Sequence, residues 1–263
     1  MQGHAAGIRW KTQDQTLILT IDRQSRRNAL DPEAHHQLAS LFDKFADSDT
    51  LLVAIITGAG DKAFCAGSDL SAEAGLDRAN LPRTGFAGLA ERFDLIKPVI
   101  AAVNGDAIGG GMEIVLACDV CVAVPESRFG LPEPRVGLAA SGGLHRLARQ
   151  VPLKKAMELA LTGRMFTADE AVDMGVVNRL SPSRAGAGGA LAMALETAAL
   201  ICKNAPLAVR ATKQMMMHGL DLPDLEAAFA APYPAFETML GSQDAREGRL
   251  AFLQKRNPEW RGR

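Results

Sequence analysis

The sequence predicts an α/β fold built on a mostly parallel sheet, and three observations carry that prediction. Short apolar runs that read as buried strands recur along the first two thirds of the 263 residues. Stretches with apolar residues at helical spacing separate them, so strands and helices alternate as parallel sheets require. Turn residues punctuate nearly every junction. At 48% hydrophobic and 22% charged residues, the composition is that of a folded globular chain.

In chain order, residues 17–21 read as a strand and residues 51–57 as a fully buried one, closed by the turn Gly58-Ala59-Gly60-Asp61. The helix between them has Asp31 as its cap, Pro32 in its first turn, and one apolar face from Leu38, Leu41, Phe42 and Phe45. A third strand spans 98–104, and the turn Gly109-Gly110-Gly111 opens onto an apolar helix ending near Ala117, with a fourth strand at 120–124. Thr167 and Glu170 have capping-box spacing, Gly175 can end that short helix, and 176–180 reads as a last strand. Residues 181–189 are rich in breakers, and beyond them the pattern is helical, interrupted by Pro206, Pro223 and Pro258. The expected division is therefore a core over 1–189 and a helical region over 190–263. Periodicity alone favours an open, doubly wound sheet.

Lys plus Arg total 29 against 30 Asp plus Glu, a net charge of -1, so no global field draws the chain to nucleic acid or anionic lipid. The first ten residues lack the basic start and apolar stretch of a signal peptide, and no run reaches membrane-spanning length, which makes the cytoplasm the expected location. Four scattered cysteines suit reduced thiols; Cys118 and Cys121 form a Cys-x-x-Cys, but in apolar surroundings and without a second pair. No metal site is expected, the adjacent His35 and His36 included.

Two segments can present backbone N–H groups to an anion. In 62–70, small residues follow a buried strand and allow close approach to the main chain; in 109–111, a strand-to-helix turn points free N–H groups and the positive helix end into one space. Glu113 follows Gly110 by three residues, an acid inside an otherwise apolar helix, where an unpaired charge is costly. Glu133, in Phe129-Gly130-Leu131-Pro132-Glu133-Pro134, reads equally well as a solvated loop acid.

These segments, 63–70, 104–113 and 129–143, resemble in order the signature stretches of the crotonase, or enoyl-CoA hydratase/isomerase, superfamily. The resemblance implies a spiral of ββα turns, followed by a C-terminal helical region that packs subunits into a homotrimer or homohexamer. It implies an acyl-CoA substrate, with coenzyme A entering as part of the thioester and no permanently bound cofactor. It places the two thioester-gripping N–H groups at Ser68 and Gly110 and the paired acids of a hydratase at Glu113 and Glu133. Coenzyme A would lie along Arg26, Arg27 and Ala29 and along Ala66, Gly67, Asp69 and Leu70, with Lys255 near its phosphates. The stretches Gly85-Phe86-Ala87-Gly88-Leu89 and Phe93-Asp94-Leu95, and the ending from Asp244 to Arg263, are similar to the carnitinyl-CoA dehydratase branch. Ser68 stands where that branch suggests a tryptophan, Asp106 where an aromatic is usual, and 138–141 where a proline and an acid are expected.

The expected activity is reversible addition of water to a 2-enoyl-CoA, with the division of acid and base between the glutamates left open. A double-bond isomerase would need only one placed acid, and a silent acyl-CoA binder neither. A nucleotide-binding dehydrogenase is disfavoured, because the glycines at 105 and 109–111 do not form Gly-x-Gly-x-x-Gly and no glycine-rich turn follows the first strand.

Overall fold

The computed structural model describes residues 1–69, 78–183 and 189–263. It opens with a hairpin, β1 (Gln2–Ala5) and β2 (Ile8–Gln13), antiparallel to β3 (Thr16–Ile21). From there the chain winds as a coil. Each of three turns puts one strand into a large sheet and the next into a small one: β4 (Val53–Gly58) with β5 (Ala63–Cys65), β6 (Val99–Val103) with β7 (Asp106–Ile108), and β8 (Val120–Ala123) with β9 (Arg128–Gly130). The large sheet runs β1-β2-β3-β4-β6-β8-β11 and the small one β10-β9-β7-β5, where β10 is Phe166–Thr167 and β11 is Arg179–Leu180. Pairing from β3 through β4, β6 and β8 to β11 is parallel. The parallel sheet is as expected, but the two-sheet coil replaces the open sheet that periodicity favours.

Helix α1 (Pro32–Asp47) forms as its sequence dictates. Asp31 Oδ1 accepts the Ala34 N–H at 2.9 Å, Pro32 fills the first turn, and Leu38, Leu41, Phe42 and Phe45 are fully buried. Each such burial is worth about 1.5–3 kcal/mol. Its C-terminal carbonyls meet Lys97, whose buried ammonium donates to Phe45 O at 2.7 Å and to Ser48 O and lies 5.1 Å from the Phe45 ring centre.

Helix α2 (Gly110–Ala117) joins α1 in a cluster with Leu17, Leu19, Ala54, Ile56, Val99, Ala101 and Val103. On the other side, Val53, Ile55, Ile100, Ala102, Val122 and Val124 pack against Ala190, Ala194 and Ala198 of α6 (Ala190–Cys202). Between these come α3 (Leu144–Gln150), α4 (Leu153–Thr162) and α5 (Ala168–Asp173), the last with the expected capping box. The chain ends in α7 (Pro206–Gly219), α8 (Leu225–Ala230), α9 (Pro234–Gly241) and α10 (Gln243–Gln254). No single described helix is long and apolar enough to cross a membrane; α6 and α7 reach that length and composition only together, and they are bent by 106°.

Candidate active site

The loop after β3 and the loop after β5 are stitched together by main-chain bonds. Asn28 donates its side-chain amide to Ala59 O at 3.0 Å and Ala63 O at 2.7 Å, and Ala66 N–H reaches Arg27 O at 3.1 Å. Leu30 N–H donates to Gly67 O and Asp69 N–H to Leu30 O, both at 2.9 Å, forming a parallel bridge between Leu30 and Ser68. In a parallel bridge the facing residue uses its neighbours' groups, so the Ser68 N–H points away from Leu30. Arg23 locks the pair: its Nε donates to Ala29 O at 2.8 Å and its guanidinium pairs with Asp69 at 3.0 Å and with Asp31.

The second turn closes on the first. Gly109 N–H donates to Gly130 O at 2.9 Å, and the left-handed φ of Gly109, 57°, aims the chain into α2. Gly110 is the first residue of that helix, so its N–H has no carbonyl four residues back inside it. Neither this amide nor that of Ser68 is bonded among the described residues. A Cβ on Gly67 would sit 3.2 Å from Gly110 N, which places the two stretches in contact. Glycine is also required at Gly111, where a Cβ would come 2.0 Å from Cys65 O.

Glu113 projects from the first turns of α2 and is 6% exposed. Its Oε1 accepts the Gly142 N–H at 2.9 Å, and the bare Cα atoms of Gly142 and Gly143 let the chain pack against the carboxyl. Burial, then the charge of Glu133, push its pKa up to about 7 against the N–H groups of Gly142 and Gly143. Glu133 opens a 3-10 turn at Glu133–Val136, with Oε1 2.9 Å from where a Gly109 Cβ would lie. Its Oε2 is buried without a partner among the described residues, and burial raises its pKa too. Two carboxyls that both resist ionisation therefore flank a turn whose first helical N–H is free. Such a set can bind an oxygen that gains negative charge and move protons beside it.

A family model described as enoyl-CoA hydratase/isomerase matches residues 11–263. The chain belongs to the enoyl-CoA hydratase/isomerase family. Within that family it is similar to carnitinyl-CoA dehydratase of Proteus mirabilis, 40% identical over 96% of this chain and 97% of the relative, and of Salmonella arizonae, 43% identical over 94% and 95%. Among solved structures it is similar to an enoyl-CoA hydratase from Mycobacterium marinum, with TM-score 0.90 and 40% identity over 98% of this chain and all of that one. A probable enoyl-CoA hydratase/isomerase from Mycobacterium abscessus gives TM-score 0.88 and 42% identity over 99% of this chain and all of that one. The coil of two sheets is thus the crotonase fold.

In this crotonase-fold chain, the stretch Ala66–Asp69 touches the Gly109–Gly110 turn, with Glu113 on the helix that follows and Glu133 against Gly109. Asp69, however, is 8% exposed, its carboxylate faces Arg23 and its N–H is given to Leu30 O. Ala29 is buried beside Asn28, whereas Arg26 and Arg27 project into solvent. Leu70 lies outside the described residues. Lys255 caps the exposed end of α10, which packs on α9, and its backbone N–H returns to Phe252 O; no described bond ties it to the loops of the site. Asp106 has a structural task, since its Oδ1 accepts the Arg128 N–H at 3.1 Å. Sequence reasoning missed Arg23, Asn28, His35 and Gly142. The first three carry no local pattern, and Gly142-Gly143 was visible only as one more glycine pair.

Proposed function

We propose that this chain catalyses the reversible addition of water to a 2-enoyl-CoA thioester. The observation that carries the reading is the placement of Glu113 and Glu133 around the Gly109–Gly110 turn, two carboxyls in differing shells whose burial disfavours ionisation. Hydration needs three things: an electron-poor β-carbon, a water that loses a proton as it attacks, and a proton for the α-carbon. The N–H groups of Ser68 and Gly110 serve the first by donating to the thioester oxygen as enolate-like charge grows on it, a contribution of about 2.7 to 4 kcal/mol per donor. One carboxylate takes the proton of the water while the other, as a carboxylic acid, gives its proton to the α-carbon. The pair so ends with one proton, as it began, and dehydration runs through the reverse state.

Coenzyme A is read as part of the substrate, held along the main chain of 26–29 and 66–69, with no permanently bound cofactor. Lys255 is read as reaching its phosphates from a neighbouring subunit. The names of the curated relatives make a C4 acyl group carrying a trimethylammonium the first candidate, and crotonyl-CoA is its uncharged counterpart.

Turnover of crotonyl-CoA and crotonobetainyl-CoA by the wild type and by Glu113→Gln and Glu133→Gln tests the reading. Each variant is expected to lose about 100-fold or more in hydration while still binding coenzyme A. If one glutamate is dispensable for hydration and a 3-enoyl thioester is isomerised, the enzyme is an isomerase. Binding without any turnover by the wild type makes it an acyl-CoA carrier.

A further inference from the structure

We propose that His35 is a positioning residue for the Gly109–Gly110 turn, acting through Ala87 and Phe86; this rests on the reading of Gly110 as an oxyanion donor. His35 lies on the buried side of α1, 3% exposed, and its Nδ1 accepts the Ala87 N–H at 3.0 Å. A ring that accepts at Nδ1 is neutral and carries its proton on Nε2. Burial keeps it so, pushing the pKa down to about 4.

Ala87 is an alanine at φ 55°, flanked by Gly85 at 74° and Gly88 at 65°. A left-handed backbone is unfavourable for alanine and persists only where its surroundings hold it. Here the His35 bond and the close approach of Gly88 to Ala39, where a Cβ would come within 2.4 Å of Cα, hold it against α1. The same imidazole meets the Phe86 ring edge-on, centres 4.4 Å apart at 68°. Phe86 in turn lies flush on Gly110: a Cβ there would be 2.2 Å from Cζ.

The consequence concerns one peptide group. The bond between Gly109 and Gly110 joins two residues without side chains, and the direction of its N–H is held inside the turn by a single bond, from the Glu113 N–H to Gly109 O at 3.0 Å. The Phe86 ring, packed where a Gly110 side chain would be, adds a second restraint on that peptide. Helix α1 thereby helps to set the direction of a donor that belongs to α2, and His35 is the side chain through which it does so.

The test compares His35→Asn, His35→Gln and His35→Leu. Asparagine carries an amide oxygen close to the Nδ1 position, glutamine carries it further out, and leucine has no acceptor. In hydration of a 2-enoyl-CoA, the Leu and Gln variants should lose about tenfold or more in kcat with KM within about threefold, while Asn stays within about threefold of wild type in both. Wild-type kcat in a folded Leu variant, or equal loss in Asn and Leu, overturns the proposal. If the Leu variant does not fold, the contrast between Asn and Gln decides. A wild type without hydratase turnover would sink the functional reading alone. The positioning claim then stands or falls on hydrogen exchange at the Ala87 amide, expected to be faster in Leu and Gln than in Asn, and overturned by equal rates.

Discussion

Glu113 shows how a site can work against the stability of its own fold. The folded chain holds the Glu113 proton up to about pH 7, whereas an ordinary glutamate releases it near 4.5. Between those values the native state binds more protons than the unfolded one, so stability is present below about pH 4.5 and falls as pH rises through 7, by on the order of 3 kcal/mol. Glu113→Gln, which mimics the protonated carboxyl, should therefore melt higher than wild type at pH 8 and about equally at pH 4.5, even as the proposed function expects it to lose activity. Equal melting at both values would mean that the carboxyl is not held as described. Glu113 was legible in the sequence because an acid amid apolar helix residues demands a reason. Glu133 was not legible alone, since its shell is built by Gly109 and by a turn whose fold no local pattern announces. His35 was illegible for the opposite cause: a histidine on an apolar helix face is what an ordinary core residue looks like, and its task depends on Ala87, 52 residues away.

The strands of the small sheet escaped the sequence because β5, β7 and β9 have three residues each and β10 two, too short for an alternating pattern to declare itself. What places them is close backbone approach, and glycine marks it. Gly111→Ala would drive a methyl against Cys65 O, a main-chain atom that cannot step aside, separating α2 from β5. A loss of about 3 kcal/mol or more in urea unfolding is expected, and an unchanged midpoint would refute the contact. The long elements were read well, α1 above all, because cap, proline and apolar stripe agree. The end of α1 was less legible, as its carbonyls are satisfied from 49 residues away or more by Lys97. Lys97→Met would leave Phe45 O and Ser48 O without that donor and should cost about 2 kcal/mol, seen as a lower guanidinium midpoint.

The helices beyond residue 202 present much apolar surface: Leu220, Leu225, Phe229, Phe252 and Leu253 are each at least 69% exposed. Apolar surface on this scale marks association, and we expect a homotrimer or homohexamer in analytical ultracentrifugation; a monomer at micromolar concentration would overturn this. Fold class and family were within reach of the sequence, because three motifs in a fixed order constrain far more than any one of them. The division near residue 189 is subtler in three dimensions. Helix α6 follows the breaker-rich stretch, yet it packs on β4, β6 and β8 and covers the second face of the large sheet. During synthesis, then, Val53, Ile55, Ile100 and Val122 emerge well before Ala190, Ala194 and Ala198 exist to cover them. A chain cut after residue 183 would hold a sheet with one covered face and one bare one, a natural client for chaperones that bind exposed apolar surface.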